Sequence, residues 1–419
     1  MLKKTDIQNR LRLAIRFIIK VLSYFLASLL IIIIFLIRPV ILIRFGVLVS
    51  SRLGHFAGNT ELYLCEKYLG ISSKRRLCFD FFYCEDRVCN EQLFSMLKRN
   101  IVILPKIFWS FFFRLDRLIR LSLNFSPLLK AHVVKSSTSD RDIHGLIHKT
   151  PINLKFTKNE IKKGCLGLEE LGIPAEAKIV LLYVRDSAYL ESVDNSKDWS
   201  YHNHRDCNID NYILVSEKLA EMGYYVLRMG VTVKKALETN NPMVIDYANH
   251  AKSNDFMDIY LASICEFVIS CGVGGDAPAI LCFRKPCVFV NVCPIFCLWT
   301  FNSNSIAITK HHVSATNSNE LTLKEIFSTN VGVSLNSECY KENGVVVTDN
   351  TPEEIYDVAI EMVKKLSGAW ESNDNDRILQ TKFWDIFPST KPIDGKVLHG
   401  EIRMTYGSNF LRNNTWWLN

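Results

Sequence analysis

The residues best suited to chemistry stand at the ends of apolar runs. LLYVRDSAYL, residues 181–190, has the pattern of a buried strand, yet it finishes in Arg185 and Asp186 with Tyr189 just beyond. GYYVLRMG finishes in Arg228 and Gly230, MVID in Asp246 and CVFVN in Asn291. Between two of these runs, CGVGGD places Gly272, Gly274 and Gly275 ahead of a short helical stretch. In open parallel sheets, ligands sit outside the carboxyl ends of the strands. Two guanidiniums there suit a diphosphate, which they contact through planar, paired hydrogen bonds. A glycine turn before a helix offers backbone N–H groups and a helix dipole to the same anion. The spacing is neither a Walker loop nor GxGxxG, so ATP hydrolysis and nicotinamide chemistry are not indicated. Asp246 or Asn291 would contact ribose or base.

A long stretch, 187–209, follows the first strand tip and holds Trp199, Tyr201, His202, His204, Arg205 and Asn208. Long connections at strand tips usually carry function. Arg205 and Asn208 are expected to fold back over the site, with Asp186 orienting an arginine or acting in catalysis. Nearer the N-terminus, RLGHFAGNTE presents His55 beside Gly54. A histidine in a strand-to-helix loop can serve as a general base near neutral pH; Glu61 or Asp80 could do that work instead. Cys84 with Cys89, and Cys293 with Cys297, lack zinc-site spacing, so no metal site and no cofactor is expected.

These residues need elements to hold them. Strands are expected over 40–49, 77–83 and 101–104, with a loop over 51–60 and a helix over 62–69. Further on, strands are expected over 178–184, 224–229, 243–247, 267–271 and 287–291, separated by helices opening at Asp210 and Asp255. Thr351-Pro352-Glu353-Glu354 is a helix start: N-cap threonine, proline at the first position, glutamate at the third. Strands alternating with helices make doubly wound parallel sheets. The expected architecture is α/β and GT-B-like: two Rossmann-like domains facing a cleft. The expected boundaries are a membrane-associating segment 1–38, an acceptor-side domain 39–150, a linker 151–177, a nucleotide-sugar domain 178–370, and a helical tail 371–419 returning to the first domain.

The chain has 419 residues, a net charge of +7 and thirteen cysteines. The odd cysteine count, scattered through apolar stretches, suits a reduced cytoplasmic protein. The positive charge is clustered, in Lys3, Lys4, Arg10, Arg12, Arg16 and Lys20, and again in Arg114, Arg117 and Arg120, beside apolar runs. That favours an anionic membrane surface over nucleic acid. Val21 to Ile37 is an uncharged run of seventeen residues, at the lower edge of the roughly 17–25 that span a bilayer as a helix. Spanning, lying in one leaflet and burial in a core remain open. Positive-inside counting puts the N-terminus in the cytoplasm, and Arg38, Arg44 and Arg52 on the other flank weaken that signal. The cysteine usage and the nucleotide-type site favour attachment from the cytoplasmic side by a monotopic or re-entrant segment or a single N-terminal anchor, with 106–130 as an interfacial amphipathic helix.

YVRDSAY, RDCNIDNY, GYYVLRMG, VIDYANHAKSNDFMDIYL, the VGG loop and PCVFVN, in that order, resemble a family of bacterial surface-polysaccharide glycosyltransferases of capsule and O-antigen type. RLGHFAGNTELYL and GSNFLRNNTWWL resemble family positions too, so the likeness covers nearly the whole chain. The chain departs from the pattern at Asp206, where asparagine is usual, and at Cys271-Gly272 with Asp276. The resemblance implies a metal-independent GT-B transferase moving a sugar from a nucleotide-sugar donor to a lipid-linked surface glycan at the cytoplasmic face of the inner membrane. It also places Asp258 among the donor-side residues. Alternatives are a nucleotide-sugar 2-epimerase of the same architecture and a non-catalytic scaffold in polysaccharide assembly.

Overall fold

The computed structural model describes residues 2–71, 77–122, 127–134, 141–193, 196, 198–393, 395 and 397–419. The chain divides into two compact units, Met1–Asp140 and Arg141–Asn419, so the division falls ten residues before the expected boundary at 150. Both units are α/β with parallel sheets.

The first unit holds strands β1 (Leu42–Leu48), β2 (Cys78–Cys84) and β3 (Val102–Ile103), paired in that order and all parallel. Parallel neighbours need crossovers, and the helices Leu53–Tyr68 and Glu91–Lys98 lie in those connections. The stretch 51–60 is therefore mostly helix, not loop. Gly54 and Gly58 disfavour helix, but the run Phe56 to Cys65 is buried, and tertiary packing overrides propensity. A polar knot ties this helix to the sheet. Arg44 Nε and Nη2 on β1 donate to the two Asp80 oxygens on β2 at 2.6 Å each, and Tyr63 Oη donates to Asp80 Oδ2 at 2.7 Å. Burial would raise the Asp80 carboxyl, but these hydrogen bonds outweigh it and hold it below the usual range. Asp80 is thus a structural ion and not an open base. The helices Leu2–Ile37 and Trp109–Ser122 close the unit through Ala27, Ile34, Leu115 and Ile119, packed with Phe45 of β1.

The second unit contains β4 (Lys178–Tyr183), β5 (Tyr224–Met229), β6 (Val244–Ile245), β7 (Phe267–Ser270), β8 (Cys287–Val292) and β9 (Ser305–Thr309). An antiparallel pair, β10 (His311–Ser314) and β11 (Val345–Thr348), stands beside the sheet, and β12 (Thr405–Tyr406) joins its edge. The order is β12-β9-β8-β7-β4-β5-β6, all parallel. The chain steps from β4 outward to β6, then crosses back to lay β7 on the other side of β4. That reversal makes the β4/β7 edge the topological switch point, where such sheets bind ligands. Strands β7, β8 and β9 are buried along their whole length, which is why their sequences are continuous apolar runs.

Two expected boundaries are corrected. Residues 151–177 are not a linker. A capping box at Thr157 starts the helix Lys158–Glu170, and the Phe156 ring packs 6.2, 5.5 and 6.0 Å from Phe256, Tyr260 and Phe283. A Cβ on Gly164 would fall 2.1 Å from the Tyr260 ring, so only glycine admits that close approach. The tail likewise belongs to the second unit. β12 pairs with β9, and Arg412 in the helix Ser408–Asn413 grips both oxygens of Asp376 at 2.6 Å.

Candidate functional site

The switch point is built around Arg185. Tyr183 at the tip of β4 stands opposite Ser270 at the tip of β7. The Arg185 backbone N–H donates to Cys271 Sγ at 3.0 Å, and its carbonyl accepts from the Cys207 N–H at 2.9 Å. One residue thereby joins the glycine loop to the end of the long connection. Its side chain pairs with Asp206, Nε to Oδ1 at 3.2 Å. Arg205 lies alongside, donating from Nη2 to the Gly272 carbonyl at 3.1 Å. Burial, then the positive charge of Arg205, lower the Arg185 guanidinium below its usual value. Two cations are held together against their own repulsion.

The surroundings are arranged to the same end. Lys310, just past β9, is 4% exposed; its Nζ donates to the Asp206 carbonyl at 2.5 Å and to Asp349 Oδ1 at 2.6 Å. Asp349 in turn accepts from the Asn208 N–H at 2.8 Å, so the returning loop is pinned from below. His204 is buried and stacked on Tyr340, with Nδ1 2.9 Å from Ser337 Oγ. Burial first, then Arg205, His202, Lys310 and Arg185, push it down to about 3. Its imidazole is neutral and adds no charge. Burial would raise the Cys271 thiol, but hydrogen bonds from Cys207 and the Arg185 N–H outweigh it and hold the thiol below its usual value.

Gly272 and Gly274 have φ of 74° and 84°, the left-handed region glycine enters freely. The loop is less open as an anion cradle than expected. The Gly272 N–H turns inward to Ser270 Oγ at 3.0 Å, and that hydroxyl donates to Asp276 Oδ2 at 2.6 Å. Asp276 is fully buried, and burial raises its carboxyl. Gly275 backs onto the Tyr183 ring at 3.5 Å from where its Cβ would be.

The β5 side differs from expectation. Arg228 is 1% exposed and clamped, Nη1 to Asp246 Oδ1 at 3.3 Å and Nη2 to Asp186 Oδ2 at 3.7 Å. Asp186 also accepts the N–H groups of Ala188 and Lys234 at 3.0 and 2.8 Å, and Asp246 those of Leu237 and the Asn249 side chain at 3.0 and 2.7 Å. Arg228 is paired on both sides, Asp246 is its counter-ion, and Asp186 holds the turn through both of its oxygens. The partner expected of Asp186 is supplied to Arg185 by Asp206. A cavity of about 240 Å³ is lined by Arg228 itself with Asp186, Asp206, Asn208, Lys234 and Lys235, among others. Gly230, with φ of 156°, follows β5; a Cβ there would meet Val233 at 2.9 Å. Tyr189 sits in the helix Ala188–Val193 beyond the turn.

Asn291 is also redirected. It has φ of 57°, is fully buried, and exchanges hydrogen bonds with Asn350 while its Nδ2 donates to Tyr212 Oη at 2.9 Å. It sits at the register irregularity of β8, with its side chain engaged inside the fold. Asp258, in the first turn of the helix Asp255–Ile264, is pushed up to about 7 by burial and the charge of Asp255, against a hydrogen bond from Tyr247. In the first unit, His55 is half-buried in the opening turn of the helix after β1. Glu61, two turns on, is 1% exposed. Asp206, Cys271, Lys310 and Lys234 were not singled out from the sequence as site residues. Only Asp206 and Cys271 carried a signal there, as departures from the family pattern.

No family model matches the sequence, and no curated protein matches it. Two solved glycosyltransferase structures show a distant similarity to the chain. One is the glycosyl transferase family 9 from Veillonella parvula DSM 2008, at 11% identity and a TM-score of 0.39, over 64% of this chain and 85% of that one. The other is E. coli ADP-heptose lps heptosyltransferase II, at 12% identity and a TM-score of 0.41, over 77% of this chain and 98% of that one. Superposition this loose carries no activity across. The chain's own topology defines its class: an α/β protein whose larger unit is a Rossmann-order parallel sheet with a cationic switch point.

Proposed function

We propose that the protein is a GT-B glycosyltransferase that moves a sugar from a nucleotide-sugar donor to a lipid-linked bacterial surface glycan at the cytoplasmic face of the inner membrane. The observation that carries this reading is the Arg185–Arg205 pair at the switch point. Folding brings two like charges together, part-buried, at the strand tips, an arrangement that a bound diphosphate would relieve. As the bond from the sugar's anomeric carbon to the diphosphate breaks, the nucleoside diphosphate leaves with the electron pair and gains negative charge. Arg185 and Arg205 are preorganised to stabilise it, the work that cationic side chains do in place of a metal. The acceptor hydroxyl attacks the same carbon and gives its proton to a base, for which His55 is the proposed residue.

Titration calorimetry with nucleoside diphosphates, beside melting curves, tests the assignment. Arg185→Ala and Arg205→Ala are expected to lower affinity roughly ten- to hundredfold, the value of a partly desolvated guanidinium–phosphate contact, with little change in melting. Asp206→Asn removes a competing carboxylate and is expected to raise affinity roughly three- to tenfold. Folded Arg185→Ala and Arg205→Ala proteins that bind as tightly as wild type would sink the proposal. Release of nucleotide only with acceptor present separates a transferase from an epimerase.

A further inference from the structure

Over Arg12–Ile37 the helix Leu2–Ile37 has two different sides. Over 23–37 one stripe is docked: Ala27 and Ile34 are buried, and Leu30 and Ile31 are partly buried, against Leu115 and Ile119 of the neighbouring helix and Phe45 of β1. Ser23 lies on the same stripe and accepts a hydrogen bond from Arg114 Nη1 at 3.3 Å. At about 100° per residue, this stripe continues N-terminally into Arg12, Arg16 and Lys20, which are four apart. The opposite side is apolar throughout and has no partner among the described residues. Phe17 is 67% exposed, Ile18 63%, Phe25 60%, Ile32 55% and Leu36 70%. The strip covers 26 residues, Arg12–Ile37, a length of roughly 39 Å at 1.5 Å per residue.

This pattern does not suit a spanning helix. A span is surrounded by hydrocarbon on all sides or packed on other spans. Here its C-terminal half is docked on a sheet strand and on a helix that carries Arg114 and the Asp116–Arg120 ion pair at 2.6 Å. Inserting 21–37 across a bilayer would carry those charges into the hydrocarbon, where they are expensive. A basic stripe opposite a long apolar face is the signature of a helix lying in the interface. Exposed Phe113 and Leu121, with Arg117 and Arg120, extend the same mixed character onto the adjoining helix, and exposed Ile107 and Phe108 stand in the turn that leads into it.

We infer that the first unit attaches to a bilayer containing anionic lipid by laying the helix Arg12–Ile37 in the plane of one leaflet, with both chain ends on the same side. The apolar face supplies burial in the acyl boundary, and Arg12, Arg16 and Lys20 pair with headgroup phosphates. The inference stands apart from the catalytic reading.

Flotation of the full-length chain with vesicles tests it. Binding is expected to vesicles containing phosphatidylglycerol and to be far weaker to pure phosphatidylcholine. Each basic residue near an anionic surface is worth about fivefold in partitioning, so R12E/R16E/K20E is expected to lose roughly a hundredfold or more. I18E/F25E/I32E, on the apolar face, is expected to lose binding to both vesicle types. Both triple variants should keep the wild-type circular dichroism and nucleoside diphosphate affinity, which keeps this result separate from any failure of the catalytic proposal. In cells, epitopes at the two termini are expected to be cleaved by protease from the same side of the membrane. An N-terminal epitope on the far side would overturn the inference. So would vesicle binding indifferent to anionic lipid, or a stable dimer that hides the apolar face and ignores vesicles.

Discussion

Arg185 and Arg228 show how two residues that look alike in sequence are given different tasks. Each ends a buried parallel strand, and each meets a carboxylate. Arg185 pairs with the part-exposed Asp206 and has Arg205 beside it, the arrangement proposed to receive a diphosphate. Arg228 is enclosed between Asp246 and Asp186 and is 1% exposed. Breaking a buried pair by removing one partner leaves the other charge uncompensated and costs about 3–5 kcal/mol. Arg228→Met is therefore expected to lower the melting temperature sharply, while the folded fraction binds nucleoside diphosphate as wild type does. Loss of binding with unchanged melting would return Arg228 to the ligand site. Sequence alone leaves the two arginines equivalent, because the distinction lies in Asp206 and Asp246, whose approach depends on where the chain turns back.

At the scale of elements, the β10–β11 pair is tied to the helix Pro352–Leu366 through one histidine. His311 on β10 contacts Glu354 through Nε2 at 2.8 Å and Glu320 through Nδ1 at 3.2 Å, with buried His312 next to it. Burial would push His311 down, but Glu354 and Glu320 together outweigh it and hold the imidazole up at about 9. An unfolded histidine titrates near 6.5. The stabilisation is therefore complete below about pH 6.5 and is lost as pH rises through about 9, on the order of 2–3 kcal/mol in all. Urea melts at pH 6, 8 and 10 are expected to show that decline, and His311→Gln to flatten it; an equal slope in the variant would refute the assignment. Glu354 was legible as part of the capping box at Thr351, which the structure contains, but its second partner was not. The long apolar strands were legible too, since burial on both faces leaves a continuous run. β9 and β12 were not: β9 is five residues long, and β12 is two residues that pair with β9. The helix over 53–60 was hidden by Gly54 and Gly58, whose local preference packing overrides.

At the scale of the molecule, every residue proposed to hold the donor lies in Arg141–Asn419, and that unit has its own core. The core depends on the stretch that composition suggested was a linker. Phe156 fills a space among Phe256, Tyr260 and Phe283, and the helix Lys158–Glu170 sits on the helix Asp255–Ile264 with Gly164 against Tyr260 and Gly167 against Met257. Phe156 makes its ring contacts with the elements on either side of β7, whose tip forms half of the switch point. A fragment of residues 141–419 is accordingly expected to fold cooperatively and to bind nucleoside diphosphate as the whole chain does, with no transfer to acceptor. A fragment of 178–419 loses the phenyl ring and the covering helix together. Removing a buried phenylalanine alone costs about 3–5 kcal/mol, a large share of the 5–15 kcal/mol that stabilises a typical domain. It is expected to be insoluble or to melt well below the longer fragment. Matched melting temperatures would show that 151–177 adds nothing to the core; failure of 141–419 to fold would show that the second unit needs the first.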